Sequence, residues 1–233
     1  MSDARRNGAT PISAVLFDFD FTLADSSEPV IECVNFALRG LGLPEAPTHE
    51  VMRTIGLHLS DTLVELAGAE HRPRAKVFLD LFEKRSDIVM VEGTEVYDDV
   101  PDAVAALKER GMRLGIVSTK YRRRIEKILD RDGLLSSFDT IIGGDDVTRH
   151  KLDPQPIHMA LASLGVPVDK AVYVGDSLPD AQAAQAAGVR FVAALSGTTE
   201  LHEFEEYAMA GYVSTVNRTD FVEVLERISN GSS

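Results

Sequence analysis

A chain of 233 residues, 44% hydrophobic and 26% charged, has the composition of a folded globular protein with length for one large or two smaller domains. A formal net charge of −13 argues against general affinity for nucleic acid or an anionic membrane surface, so any anion-handling site must rely on local cations and helix N-termini. The single cysteine, Cys33, excludes an intrachain disulfide and fits a reducing cytoplasm; set in an apolar helical pattern, it reads as a packing residue.

The opening stretch MSDARRNGAT lacks the apolar run of a secretory signal, and no segment is apolar for long enough to span a bilayer. The small polar ends, residues 1–10 and 230–233, are expected to be mobile. Residues 12–17 form the first β-like run, which ends in Asp18 and Asp20. From residue 25 to about 92 no strand pattern follows. Helices are expected at 28–39, 48–54, 60–66 and 73–86, with Asp25 and Glu28 as a capping pair and Gly40 and Gly42 as stops. The stretch VEGTEVYDDVP leads back, so tethers near Ala24 and at residues 93–99 would let the insertion move as a lid.

Beyond it, strand and helix alternate. A helix at 102–110 lies between Pro101 and Gly111 and precedes a strand at 113–117. Strands follow at 140–142, 171–174 and 190–193, with a helix beginning near Pro156 and another at 179–187, stopped by Gly188. This rhythm predicts an α/β fold: a parallel sheet with helices on both faces, joined by right-handed crossovers, plus an all-helical cap inserted after the first strand. The expected division is core at 1–24 and 97–233, cap at 25–96.

Open parallel sheets gather their sites beyond the carboxyl ends of the strands. Asp18 and Asp20 follow the first strand, Ser118, Thr119 and Lys120 the second, and Asp176, Ser177 and Asp180 the fourth, while Lys151 precedes the helix at 156. The clustered carboxylates repel at low dielectric, and a hard divalent cation resolves that; oxygen donors and an expected phosphate favour Mg²⁺. Lys151 can balance the carboxylates and bind an oxyanion, with Ser118 and nearby backbone N–H groups supplying further donors. An acidic nucleophile, a metal, a lysine and hydroxyls together suit phosphoryl transfer. Lys120 reads equally well as an exposed lysine, Tyr121–Arg124 as a solvated helix face, and Asp145 and Asp146 after Gly143 and Gly144 as a loop. The six histidines show no close metal-binding pair.

Four stretches, DFDFTLADS, GIVSTK, HKLDPQP and VYVGDSLPDA, resemble the ordered motifs of the haloacid dehalogenase superfamily. More narrowly they resemble its phosphatases with a helical cap between the first and second motifs, the phosphoglycolate-phosphatase-like group. The resemblance spans nearly the whole chain and implies a Rossmann-like core and an aspartyl-phosphate intermediate. It implies Asp18 as nucleophile and Asp20 as the acid, then base. Asp18 and Asp176 would be side-chain metal ligands with the Asp20 backbone carbonyl, and Asp180 would act through a water or from behind them. Ser118, Thr119 and Lys151 would hold the phosphoryl oxygens, and Thr22 would support the turn that orients both aspartates.

Two positions depart from the group's pattern. Phe21 stands where glycine is commonest and is expected to narrow the entrance or touch the cap. Leu152 stands where proline is frequent, which should loosen one turn at most. Arg53 and His58 flank Ile55-Gly56 in MRTIGLHLSD, a segment similar to the cap loop that meets substrate in relatives. The implied activity is Mg²⁺-dependent hydrolysis of a small phosphorylated metabolite, with no nucleic-acid or membrane partner and no oligomeric state specified. A phosphomutase of the β-phosphoglucomutase type, or a pyrophosphatase, would share these core residues. Dehalogenases and phosphonatases generally lack an acid at the position of Asp20, and a non-catalytic scaffold would not need the costly charge cluster.

Overall fold

In chain order, the computed structural model of the protein, which describes residues 11–230, runs β1 (Ala14–Phe17), β2 (Ala24–Asp25), α1 (Ser27–Gly40), α2 (Thr48–Arg53), α3 (Leu59–Ala67), α4 (Ala75–Gly93), β3 (Glu95–Val96), α5 (Val100–Glu109), β4 (Arg113–Val117), α6 (Arg122–Arg131), β5 (Thr140–Ile142), α7 (Gln155–Leu164), β6 (Ala171–Gly175), α8 (Leu178–Ala187), β7 (Arg190–Ala194), β8 (Met209–Val213) and α9 (Arg218–Asn230). The ends expected to be mobile lie outside the described residues, except Asn230, which closes α9. Six strands form one sheet in the order β5-β4-β1-β6-β7-β8, every neighbouring pair parallel. Strand order reverses about β1, which pairs with β4 on one side and β6 on the other.

The central strands are apolar from end to end because helices cover both faces. All four residues of β1 and all five of β6 are buried. On one face Val15, Phe17, Ile116 and Val174 pack with residues of α5, α6 and α9. On the other, Leu16, Val117, Tyr173 and Phe191 pack with α7 and α8. Gly188 terminates α8 at φ +70, a conformation that costs glycine no Cβ clash.

The parallel core and the helical insertion are as the sequence pattern requires. Helices α1 to α4 bury their own apolar cluster, including Cys33, Val34, Leu38, Leu63 and Phe78. Cys33 is fully buried against the Ser86 hydroxyl, and burial pushes its thiol up to about 11, so it is the packing residue expected. No helix among the described residues is long and apolar enough to cross a membrane.

Three details differ from the sequence expectation. The chain enters and leaves the insertion through a two-stranded antiparallel clip, Ala24 opposite Val96 and Asp25 opposite Glu95. The last cap helix starts at Ala75 and runs on to Gly93; Pro73 falls instead in the preceding 3₁₀ turn. Asp25 does not cap with Glu28: its Oδ1 accepts the Ser27 N–H at 2.8 Å. Ser26, at the N-cap position, donates its hydroxyl to Asp20.

Candidate active site

The parallel ladder sets the site's first residue. Asp18 continues β1 by one step, its N–H donating to Val174 O at 2.8 Å, so its side chain emerges between the ends of β1 and β6. There Asp18 Oδ2 lies 2.6 Å from Lys151 Nζ, which in turn lies 2.7 Å from Asp180 Oδ1. Carboxylate oxygens of Asp18, Asp176 and Asp180 fall within 4.8 Å of one another, and all three residues are buried. Side chains from three separate stretches thus meet at one sheet edge.

Each carboxylate is held differently. Asp180 is saturated: the Tyr173 hydroxyl is 2.8 Å from Oδ1, while Ser177 N and Oγ donate to Oδ2 at 3.1 and 2.5 Å. Asp176 accepts from Thr22 Oγ1 at 3.3 Å, so Thr22 braces a carboxylate as well as the turn. A Cβ on Gly197 would stand 2.0 Å from Asp176 Oδ2; only glycine lets the segment after β7 close over that oxygen. Asp18 Oδ1 is buried and has no hydrogen-bond partner among the described residues. An orphan carboxylate oxygen costs free energy unless something meets it.

The electrostatics agree. Burial pushes the Asp18 carboxyl up to about 7; Lys151 opposes the shift, and Asp180 and Asp20 reinforce it. Burial, then Asp180 and Asp18, hold Asp176 well above the usual carboxylate range. Burial works against the Lys151 ammonium, but Asp18 and Asp180 outweigh it and raise its affinity for the proton. One cation balances only part of this charge. The all-oxygen donor set, with one oxygen unclaimed, fits a hard divalent ion of the Mg²⁺ kind.

Asp20 faces another environment. Its Oδ1 accepts from Ser26 and lies 3.2 Å from Lys120 Nζ. Lys120, read equally well as exposed, is buried: its ammonium reaches Met90 Sδ on α4 at 3.1 Å and its N–H donates to Ser118 Oγ at 3.3 Å. Phe21 turns the chain immediately after Asp20 at φ +58, with its N–H on Ala24 O and its carbonyl accepting from Ser196. It is buried and absent from the wall of the cavity between cap and core, so it does not narrow that space as expected. Leu152 adopts φ +84, which a proline ring forbids; the backbone beside Lys151 follows its own course rather than a loosened version of a proline turn.

A cavity of about 220 Å³ opens between cap and core. Of the four acidic residues singled out from the sequence, only Asp20 lines it; Thr119 and Lys120 join from the core. His58 from the cap and His150 from the core stack there with ring centroids 4.3 Å apart, a pair invisible in sequence spacing. Burial, then His58, lowers the His150 imidazole's affinity for a proton. Arg53 is not in this wall; it is exposed and ion-paired with Glu203 at 3.2 Å.

Arg124 is not on a solvated face. Its side chain is buried, 2.6 Å from Glu83 and 2.7 Å from Asp87, and joins α6 of the core to α4 of the cap. Asp145 and Asp146 hold the start of α6, through Arg122 N and Arg122 Nε, both at 2.8 Å.

Residues 15–194 match the haloacid dehalogenase-like hydrolase family. The chain is 33% identical over 188 residues to a phosphoglycolate phosphatase of Aquifex aeolicus, covering 81% of this chain and 87% of that protein. It is 34% identical over 182 residues to a phosphoglycolate phosphatase of Yersinia pestis, covering 76% and 78%. Among solved structures, a haloacid dehalogenase-like hydrolase from Bacteroides fragilis superposes with a TM-score of 0.85 at 38% identity, over 88% of this chain and 97% of that one.

Proposed function

Because the chain belongs to the haloacid dehalogenase-like hydrolases and is a phosphoric monoester hydrolase, we propose that Asp18 captures the phosphoryl group of a small phosphorylated metabolite in a Mg²⁺-dependent phosphatase reaction. The observation that carries this reading is Asp18 Oδ1, buried and unpartnered beside Asp176 and Lys151. Asp18 and Asp176, with the Asp20 backbone carbonyl as a further donor, would hold Mg²⁺, which would supply charge neutralisation for the carboxylates and the phosphoryl oxygens.

The chain's own residues then act in two steps. A carboxylate oxygen of Asp18 attacks phosphorus, the bond from phosphorus to the alcohol oxygen breaks, and Asp20 gives that oxygen its proton. Asp20, now ionised, takes a proton from water; the water oxygen attacks phosphorus, and the bond to Asp18 breaks to release inorganic phosphate. Lys151, Ser118 and Thr119 hold the phosphoryl oxygens. Asp180, all its oxygens engaged, positions Lys151 rather than meeting the metal directly. That Asp20 alone of the four aspartates borders the cavity supports its assignment on the leaving-group side. Residues 25–96 are taken as the cap that excludes bulk water, and a reducing cytoplasm fits the lone buried cysteine.

The test is Asp18→Asn with 4-nitrophenyl phosphate and Mg²⁺. The variant should keep its circular-dichroism spectrum and lose nearly all phosphate release. Turnover equal to that of the unaltered protein would overturn the assignment.

A further inference from the structure

The cavity beneath the cap is larger than phosphoryl transfer requires. Asp18, Lys151, Asp176 and Asp180 all lie outside its wall, so its space is left for the leaving alcohol. At about 220 Å³ it has room for roughly seven waters, or for an alcohol of roughly ten non-hydrogen atoms at protein packing density. A two-carbon hydroxy acid, with about five such atoms, would leave much of it unfilled.

The chemistry of the wall points the same way. The cap side presents Val30 and Val34 from α1, Leu59 from α3, and Leu79, Phe82 and Met90 from α4. Thr54, His58, Thr62 and Glu83 interrupt this surface, but along the apolar side chains water finds few partners, whereas an apolar body gains by leaving water. Among the described residues the wall holds one lysine and one arginine, and both are already ion-paired within the protein: Lys120 with Asp20, Arg124 with Glu83 and Asp87. His150 is disfavoured as a cation by its burial and by His58. A leaving group bearing a carboxylate would have to break one of these pairs to find a counter-charge.

We infer that the substrate is a phosphomonoester whose alcohol carries a bulky apolar body of about ten non-hydrogen atoms, seated against α1, α3 and α4. This rests on the phosphatase reading above and narrows it. The phosphoryl end stays at the sheet edge, Asp20 meets the ester oxygen at the mouth of the cavity, and the apolar body fills the space under the cap.

Alkyl esters with similar leaving-group basicity isolate the effect of the body. The experiment compares kcat/KM, with Mg²⁺, for 2-phenylethyl phosphate, ethyl phosphate and phosphoglycolate, with 4-nitrophenyl phosphate as a control for turnover. The phenylethyl ester is expected to exceed each of the two smaller esters by about tenfold or more. Leu79→Phe and, separately, Val30→Phe reduce the space, and each should bring the phenylethyl-to-ethyl ratio towards one. A smaller preference in the unaltered protein, or a ratio that neither variant moves, overturns the inference and leaves the phosphatase reading intact. Absence of Mg²⁺-dependent phosphate release from every ester, the control included, overturns the phosphatase reading and this inference with it.

Discussion

At the carboxyl edge of the sheet, Asp18, Lys151, Asp176 and Asp180 meet in a space from which water is nearly excluded, tied by contacts as short as 2.6 Å. Across the cleft, the cap offers Val34, Phe82 and Met90, plus a stacked histidine ring. The first region is costly and exacting: charges so buried are tolerable only in one arrangement with their partners. The second is cheap and adaptable, because apolar contact depends on area and shape rather than on angle. The difference assigns chemistry to the core and selection to the cap, and it can be probed from either side.

The largest effect is expected where the core's balance is removed. Lys151→Met leaves two buried carboxylates without their cation, and should cost about 3–5 kcal/mol in urea unfolding with EDTA present, besides abolishing turnover. Added Mg²⁺ should restore part of the stability but not the activity. A loss under about 1 kcal/mol would show that the charge cluster is not as tightly coupled as its geometry implies.

Next comes pH. The Asp18 carboxyl titrates at about 7 in the folded protein against an ordinary 3.8, and Asp176 is shifted the same way. Between those values the folded chain binds more protons than the unfolded one, so stability falls as pH rises through the window. His150, shifted downward, contributes weakly in the opposite sense. In EDTA, Tm should therefore drop between pH 5 and 8; the drop should be smaller in Asp18→Asn; and Mg²⁺ should raise Tm more at pH 8 than at pH 5. A Tm independent of pH in EDTA would contradict the shifts.

On the cap side the effects shrink. Arg124→Met removes the ion pairs from α6 to Glu83 and Asp87 and should cost about 2 kcal/mol, with faster amide exchange in α4 than in β1 or β6. Uniformly faster exchange would mean that cap and core open as one unit. Smallest is Leu152→Gly. Leu152 is exposed at φ +84, and glycine relieves that strain, so thermal melting should show a gain of about 0.5–1 kcal/mol.

The core was legible because its signals are local. Short apolar runs, one just after Gly111 and one just before Gly143, marked β4 and β5 at their observed bounds, and polar residues placed just after strands marked Asp18, Ser118 and Asp176. The strand β8 was missed: Met209–Val213 is short, lies at the edge of the sheet and carries Gly211, which weakens a strand pattern. Lys120 and Arg124 were missed for another reason. Their burial is created by Met90, Glu83 and Asp87 on α4, some thirty to forty residues away, and no local pattern encodes that docking. The His58–His150 stack is hidden in the same way, with one ring on each side of the cleft.

The clip formed by β2 and β3 bears on the order of folding. To pair β1 with β4, the chain must close a loop of roughly a hundred residues, from Ala14 to Arg113. A cap that assembles first brings Ala24 beside Val96 and shortens that closure to roughly a quarter of its length, the stretch up to Ala24 and the stretch from Val96 through α5. The insertion that separates the two strands in sequence is thereby the element that delivers them to each other, and a chain whose cap cannot assemble should reach its native sheet slowly.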